Sequence, residues 1–217
     1  WHNVIWSKDH HQPDLSGSGW ILGGIMSLTQ SVAPSVEPVT TTAQKTWMRV
    51  DSSDEDTLIG SLASAARAYV EMATSRQCIT ATWILKLDNF PAGDIVLDIF
   101  PLQSITSIKY YDNNDVQQTW SSSLYDVDTA LEPGRVRPAS GQDYPSDVRG
   151  HTDDIEITFV SGDGNAASDV PDGIKAAINI LAANWFENRE SNTPIGLTPV
   201  PMSLESLIWQ YRSGDLI

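Results

Sequence analysis

Residues 58–88 read LIGSLASAARAYVEMATSRQCITATWILKLD, and within this stretch the hydrophobic period changes from that of a helix to that of a strand. The first part repeats apolar residues every three or four positions, which predicts an amphipathic helix whose small residues would let another helix approach closely. Its predicted buried face comprises Leu58, Leu62, Ala65, Ala66, Tyr69, Met72 and Ala73. From Ile79 onward polar and apolar residues alternate, which predicts the first strand of a sheet.

Further helices are predicted on both sides of this stretch. Two capping-box patterns stand before helical segments, namely Thr41, Thr42 and Gln44, and then Ser52 and Glu55. Pro171 lies where a helix tolerates proline, in its first turn, and an apolar face follows it as far as Trp185. After the prolines of residues 192–201, a last short helix is predicted from Ser203 to Ile208.

The middle of the chain is predicted to be rich in strands. Short stretches with strand character lie at 95–99, 105–111, 116–120, 125–127, 135–137 and 154–160. Asp112 to Asp115 has the composition of a tight hairpin turn. Because these strands lie between helical segments, we predict an α+β fold, a small bundle of about four helices with an inserted antiparallel β-rich region at about 79–160.

Length and composition indicate one folded unit. The chain has 217 residues, of which 41% are hydrophobic and 19% charged, enough for a sizeable core. Residues 26–217 are therefore expected to form a single domain. Residues 1–25 differ from the rest, since they hold three of the eight tryptophans and three of the four histidines, and are expected to be an appended or irregular leader.

The charge balance excludes one large class of functions. Thirteen Lys and Arg against 28 Asp and Glu give a net charge of −15, which repels a phosphate backbone and disfavours sequence-specific DNA binding. An acidic channel wall past which DNA slides is compatible with this net charge.

The single cysteine, Cys78, cannot form an intramolecular disulfide, which fits synthesis in a reducing host cytoplasm. No stretch approaches the roughly 20 apolar residues of a membrane span, so no membrane partner is expected.

Five features contain residue types that could support chemistry, and each has a simpler interpretation. His10-His11 has no nearby ligand that would complete a metal site. Asp112 to Asp115 lacks the spacing of a calcium loop, and Ser161 to Gly164 lacks the residues of a phosphate loop. His151 has no activated nucleophile beside it, and Cys78 has no basic partner. We therefore predict no catalytic residue, no metal and no cofactor, and a protein that is not an enzyme.

Seven short segments match, in order and spacing, a pattern found in phage particles. They are 38–40, 49–59, 65–71, 79–83, 101–112, 170–178 and 184–190. Together they resemble the head-tail connector (adaptor) family of tailed phages and their gene-transfer-agent relatives, over about residues 30–213. The resemblance implies a helical bundle with a β-rich insertion and no catalytic residues.

The resemblance also implies a place and partners. Such adaptors lie at the head-tail junction of the virion, where they form a ring, of twelve copies, under the portal protein. A stopper or tail-completion protein follows on the tail side, and genomic DNA passes through without sequence-specific binding. The C-terminal segment, at about 201–217 here, docks on the portal. The matching portal-contact residues are Leu204, Leu207, Ile208, Trp209, Tyr211 and Arg212.

Three alternatives stay open at the level of sequence. The six C-terminal residues could instead close the core of their own subunit. The chain could be a neck stopper or tail-completion protein instead of the adaptor. In a different class, it could be a carbohydrate- or ligand-binding module that uses aromatic residues of the β-rich region, such as Tyr110, Tyr111 and Trp120.

Overall fold

The computed structural model describes residues 27–188 and 202–212. Its helices are α1 (Thr41–Met48), α2 (Asp56–Thr74), α3 (Asp172–Glu187) and α4 (Met202–Trp209). Its strands are β1 (Ser27–Val32), β2 (Ala81–Leu87), β3 (Ile95–Leu97), β4 (Leu102–Tyr111), β5 (Gln117–Trp120), β6 (Tyr125–Asp128), β7 (Gly134–Pro138) and β8 (Ile155–Ser161). The predicted α+β class is confirmed. Within the described part of the chain, no helix is long and apolar enough to cross a membrane.

The strands form two antiparallel sheets. Seven of the eight lie between α2 and α3 in the chain, whereas β1 precedes α1. The larger sheet has the order β1-β2-β8-β4-β5, and the smaller has the order β3-β7-β6. Alternation places every second side chain of a strand on the same face, so paired residues build apolar rows across the sheet. One such row runs through Leu28, Leu85, Ile157, Ile108 and Trp120. Apart from Leu28, the residues of this row form part of the core between the two sheets.

Strand β1 was not predicted, because the sequence indicated only an extended lead-in before Pro34 and Pro38. The structure pairs residues 27–32 with β2 at the edge of the larger sheet. Nearly every residue of β1 is exposed, and Leu28, the one that joins the apolar row, is itself 37% exposed. The strand is held mainly by backbone pairing, which leaves little hydrophobic pattern for sequence analysis to detect.

The helices pack into a second core that is separate from the sheet core. Val70 of α2 and Ile174, Ile178 and Leu181 of α3 are fully or almost fully buried there. Trp185 meets Tyr69 edge to face, with ring centroids 6.4 Å apart. We refer to the four helices and this core as the helical body.

The predicted buried face of α2 was displaced from the observed one. The residues that α2 buries are Ile59, Ala63, Ala66, Val70 and Thr74. Of the predicted face, Ala66 is buried and Leu62, Tyr69 and Ala73 are partly buried, whereas Leu58, Ala65 and Met72 are exposed. The error has a physical cause: α2 carries apolar residues on two opposite sides, and spacing alone does not say which side meets the core.

The helix starts also differ slightly from the predictions. Thr40 caps α1, because its Oγ1 accepts a hydrogen bond from the Ala43 amide at 3.1 Å, while Gln44 is buried and donates to the Asn179 carbonyl. The second predicted capping box is wrong. The Ser52 hydroxyl donates to Asp54 within a turn, and α2 begins without a side-chain cap.

Buried charged groups lie where the helical body meets the sheets. Arg76, after α2, pairs with Asp163, after β8, with 2.6 Å between Nη2 and Oδ1. Glu71 accepts hydrogen bonds from the Cys78 amide and from Arg67. Burial raises the pKa of Glu71 and of Asp163, although their arginine partners act in the opposite direction. These pairs connect the elements on either side of the sheet insertion.

Candidate interaction surfaces

Helix α4 carries most of the residues predicted to contact a partner, and it divides them into two groups. Leu204 and Ile208, four positions apart, point into the helical body and are 0% and 7% exposed. Leu207 and Tyr211 are partly buried against the same core. These four residues close the core of their own subunit, as one of the sequence alternatives proposed.

The end of α4 is fixed by a close approach to the first turn of α3. A Cβ atom placed on Gly173 would lie 2.5 Å from the Tyr211 hydroxyl oxygen and 2.8 Å from its ring. Such distances are shorter than van der Waals contact, so Tyr211 packs here because position 173 has no side chain. No local pattern in the sequence connects these two positions, which are far apart in the chain.

The outer side of this region presents one large aromatic residue and one cation. Trp209 is 64% exposed, and the guanidinium of Arg212 lies 5.8 Å from its ring centroid. A tryptophan so exposed covers no core of its own subunit, and tryptophan and arginine are the residues most often found at binding hot spots. We refer to Trp209 and Arg212 as the α4 surface.

A groove lies on the other side of α3, between it and α1. It has a volume of about 470 Å³ and is lined mainly by apolar groups, which include Pro38, Val39, Ala43, Trp47 and Ala176. Trp47 is 51% exposed. At the rim, Lys175 and Asp172 neutralise each other across 2.9 Å. We refer to this feature as the α1–α3 groove; the sequence did not reveal it, because its walls come from segments more than 120 residues apart.

The acidic turn that was compared with a calcium loop is a hydrogen-bonded turn, as predicted. The carboxylate of Asp112 accepts from the amides of Asn114 and Val116 and from the side chain of Gln118. These bonds lower the pKa of Asp112. The turn joins β4 to β5. Within the described ranges, no group of three His, Cys, Asp or Glu residues is arranged to hold a metal ion.

The other chemistry candidates have structural surroundings. Cys78 is fully buried, and burial raises the pKa of its thiol, as do the nearby charges of Glu71 and Asp163. The backbone amide of His151 donates to Asp154, which also pairs with Arg149. In the loop after β8, the amides of Gly162 and Asp163 donate to the backbone carbonyls of Pro101 and Gln77. His10 and His11 lie outside the described residues.

Two of the three aromatic residues proposed as a ligand platform, Trp120 and Tyr110, belong to a packed cluster, and the third, Tyr111, lies against the guanidinium of Arg149, 4.9 Å from its ring centroid. Trp120 is only 4% exposed and contacts Phe90, Tyr125 and Tyr144 at centroid distances of 5.0–5.6 Å. Tyr110 contacts Phe90 edge to face. The ligand-binding alternative therefore loses the tryptophan on which it depended, since a buried ring cannot stack on a sugar or another ligand.

Comparison with known proteins gives no sequence match and a clear structural one. No family model matches the chain, and no curated protein does either. A chain in the neck of an empty gene transfer agent (GTA) particle, computed with C6 symmetry, aligns with a TM-score of 0.72 at 22% identity. The alignment covers 88% of this chain and 97% of that one. The chain has the fold of a GTA neck protein.

Two further GTA structures agree with this result. A chain in the virion of a native particle aligns with a TM-score of 0.72 at 23% identity, and one in the neck of a native particle, computed with C12 symmetry, with 0.66 at 24%. Both alignments again cover 88% of this chain and 97% of the other. Coverage this complete means that the GTA neck fold includes the sheets as well as the helices. The resemblance predicted from seven short segments is thus confirmed at the level of the fold.

Proposed function

We propose that the chain is a structural protein of the virion neck, a head-tail connector that forms a ring under the portal, joins the capsid to the tail and lets DNA pass. It is not an enzyme. The observation that carries this proposal is the GTA neck fold, which extends over 97% of the neck chain. The described residues contribute packing, turns and ion pairs, and none of the features weighed as catalytic has a nucleophile together with a base.

A ring of twelve copies is the assembly that we propose. The neck structures that share the fold were computed with C6 and C12 symmetry. A subunit in such a ring repeats one heterologous contact until the ring closes. The net charge of −15 per copy makes a channel wall that repels DNA phosphates, so DNA can slide without binding. A stopper or tail-completion protein would meet the ring on its tail side.

The α4 surface is the part of the C-terminal segment that we assign to the portal contact. Leu204 and Ile208 are occupied within their own subunit, so the direct contact falls to Trp209 and Arg212, with Leu207 and Tyr211 at its margin. An exposed Trp-Arg pair offers a large apolar area and a cation that suits acidic or aromatic groups.

The test mixes the full chain with the portal ring of its own particle. Electron microscopy locates any added ring, and a binding titration measures affinity. We expect the unmodified chain to add a ring at the tail-facing end of the portal, and Trp209→Ala/Arg212→Ala to bind at least about tenfold more weakly, as a loss of about 1.4 kcal/mol requires. Leu131→Ala is the matched control, because Leu131 is also an exposed apolar residue, 46% accessible, in the β6–β7 connection.

The outcomes distinguish a connector that uses the α4 surface, a connector that uses another surface, a stopper or tail-completion protein, and a protein with no function in the neck. If the double variant binds the portal as tightly as the unmodified chain, the α4 surface is not the contact, although the connector function stands. If the unmodified chain leaves the portal bare but binds a preformed portal-connector complex, it is the stopper or tail-completion protein. Binding to neither would refute the neck function.

A further inference from the structure

Helix α2 has a second, mostly apolar side that none of the described residues covers. Leu58, Ser61, Ala65, Ala68 and Met72 follow one another at intervals of three, four, three and four residues, and all five are exposed. At 3.6 residues per turn they lie on the side of α2 opposite its buried residues. Met72, at 73%, is the most exposed of the large hydrophobic residues in the described part of the chain. We refer to these five residues as the α2 stripe.

The composition of the stripe is that of a helix contact. A spacing of alternating three and four residues is the pattern by which one helix packs along another. The small residues in its middle allow a close approach, and Leu58 and Met72 provide larger contacts at its two ends. The stripe contains no charged residue, although the chain carries 28 acidic ones. A helix side that faces only solvent is ordinarily polar.

The α1–α3 groove is a concave surface with a mainly apolar lining. Trp47 lies half exposed at its wall. The side-chain oxygen of Asn179, which also lines it, is buried and has no hydrogen-bond partner among the residues that the structure describes. The charges of Lys175 and Asp172 cancel at the rim, so the groove does not repel an uncharged helix side.

We propose that the α2 stripe of one copy docks in the α1–α3 groove of the next copy. This inference rests on the proposed function, because it names the contact that builds the ring. The stripe lies on the side of α2 turned away from α3, whereas the groove lies between α3 and α1, so one copy can use both surfaces at once. Two different surfaces that pair head to tail give a heterologous contact, which generates a ring when the rotation closes.

Charge identifies a second copy as the occupant. Two copies that each carry −15 repel one another, which favours contact through surfaces that lack uncompensated acidic groups. The stripe has no charge, and the groove has one matched pair. A basic partner would instead be expected to choose the acidic remainder of the surface.

Area explains why the contact would not hold two free copies together. The stripe spans 14 residue steps, about 21 Å along the helix axis, and a helix is about 10 Å wide. Its footprint is therefore on the order of 200 Å², against about 800 Å² per partner in stable complexes. At low ionic strength, where copies repel one another, the contact becomes stable when many copies are held side by side, as on a portal ring. Free subunits are then monomeric at low concentration.

The test introduces charge into the stripe and then compensates it in the groove. Ala65→Glu/Ala68→Glu places two carboxylates in the middle of the contact, and Ala92→Glu/Ala130→Glu adds the same charge at two exposed alanines in loops of the sheet region. All four changes are at exposed positions, so circular dichroism should show unchanged folding. The readout is the number of copies bound per portal ring, measured by mass photometry and electron microscopy.

We expect complete rings from the unmodified chain and from Ala92→Glu/Ala130→Glu, and at least a tenfold lower ring occupancy from Ala65→Glu/Ala68→Glu. Adding Ala43→Lys to that variant places a cation in the groove and should restore part of the occupancy. Complete rings from Ala65→Glu/Ala68→Glu would overturn this contact while leaving the connector function intact. A bare portal with the unmodified chain would overturn the connector function, and this contact with it.

Discussion

Gly162 is the single residue on which the junction between the helical body and the larger sheet depends most directly. Its φ of 146° favours glycine, and a Cβ atom there would lie 2.6 Å from the Thr80 amide nitrogen and 2.9 Å from the Ile79 carbonyl carbon. The backbone atoms of these residues cannot move away from an added Cβ atom as the end of a flexible side chain can. We therefore expect Gly162→Ala to lower the free energy of unfolding by about 3 kcal/mol, from overpacking and backbone strain together.

Urea unfolding followed by tryptophan fluorescence measures this change. The control is Gly93→Ala, because a Cβ at position 93 would meet nothing within 4 Å and the backbone there is not in the left-handed region. That variant should unfold at nearly the same urea concentration as the unmodified chain. Equal effects of the two substitutions would contradict the assigned role of Gly162.

Asp154 should make the stability of the protein depend on pH. Burial by itself would raise the pKa of this carboxyl, but hydrogen bonds from Arg149 and the His151 amide, with the charge of Arg149, bring the pKa below its ordinary value. A carboxyl with a lowered folded-state pKa stabilises the fold above its unfolded pKa of about 3.9, and this stabilisation is lost as the pH falls through the folded pKa. Stability should therefore decline on acidification below about pH 5.

Asp154→Asn removes that titration. The variant should be less stable by about 1–3 kcal/mol at pH 7, as is typical of a lost charged hydrogen bond, and should show a shallower decline in acid. Unfolding in urea at a series of pH values gives both quantities. Asp153→Asn is the neighbouring control. The Asp153 carboxylate is 40% exposed, and its ion pair with Lys86 is long, with 3.8 Å between Oδ2 and Nζ. An unchanged acid slope in Asp154→Asn would argue against this assignment.

At the scale of whole elements, the sequence predicts those whose apolar pattern has a single interpretation. The strand that begins after Ile79 and the helix after Pro171 were predicted because alternation or a three-to-four spacing identifies one buried side. The pattern of α2 has two interpretations, since it is apolar on opposite sides, and only packing against α3 decides between them. Strand β1 lacks such a pattern. The α1–α3 groove is a product of tertiary packing and has no local signal.

Substitutions on the two sides of helix α4 should differ in their effect on the free energy of unfolding. Leu204 is fully buried, so Leu204→Ala leaves a cavity and is expected to lower the free energy of unfolding by about 3 kcal/mol. Trp209 is mostly exposed, so Trp209→Ala should change it by less than about 0.5 kcal/mol. Thermal and urea unfolding of both variants checks the contrast. A larger loss from Trp209→Ala than from Leu204→Ala would mean that α4 packs with its other side inward.

The whole molecule combines a strong negative charge with two apolar surfaces, and this combination makes its self-association depend on salt. At low ionic strength the charge of −15 keeps free copies apart, because the Debye length is about 30 Å at 0.01 M salt. At about 0.5 M salt the repulsion is screened to within a few ångströms, while the apolar contact between the α2 stripe and the α1–α3 groove is not weakened. Association should therefore increase with salt, the opposite of an assembly held by ion pairs.

Sedimentation velocity at one protein concentration tests this salt dependence. The two conditions are about 10 mM NaCl, where charges are weakly screened, and about 500 mM NaCl, where they are strongly screened. We expect the unmodified chain to sediment as a monomer in low salt and to form larger species in high salt. Ala65→Glu/Ala68→Glu should remain monomeric at both salt concentrations. Salt screens the repulsion between whole copies, but it does not remove the free-energy cost of burying a carboxylate in an apolar groove. Dissociation of the unmodified chain as salt rises would show that opposite charges, and not these apolar surfaces, bring the copies together.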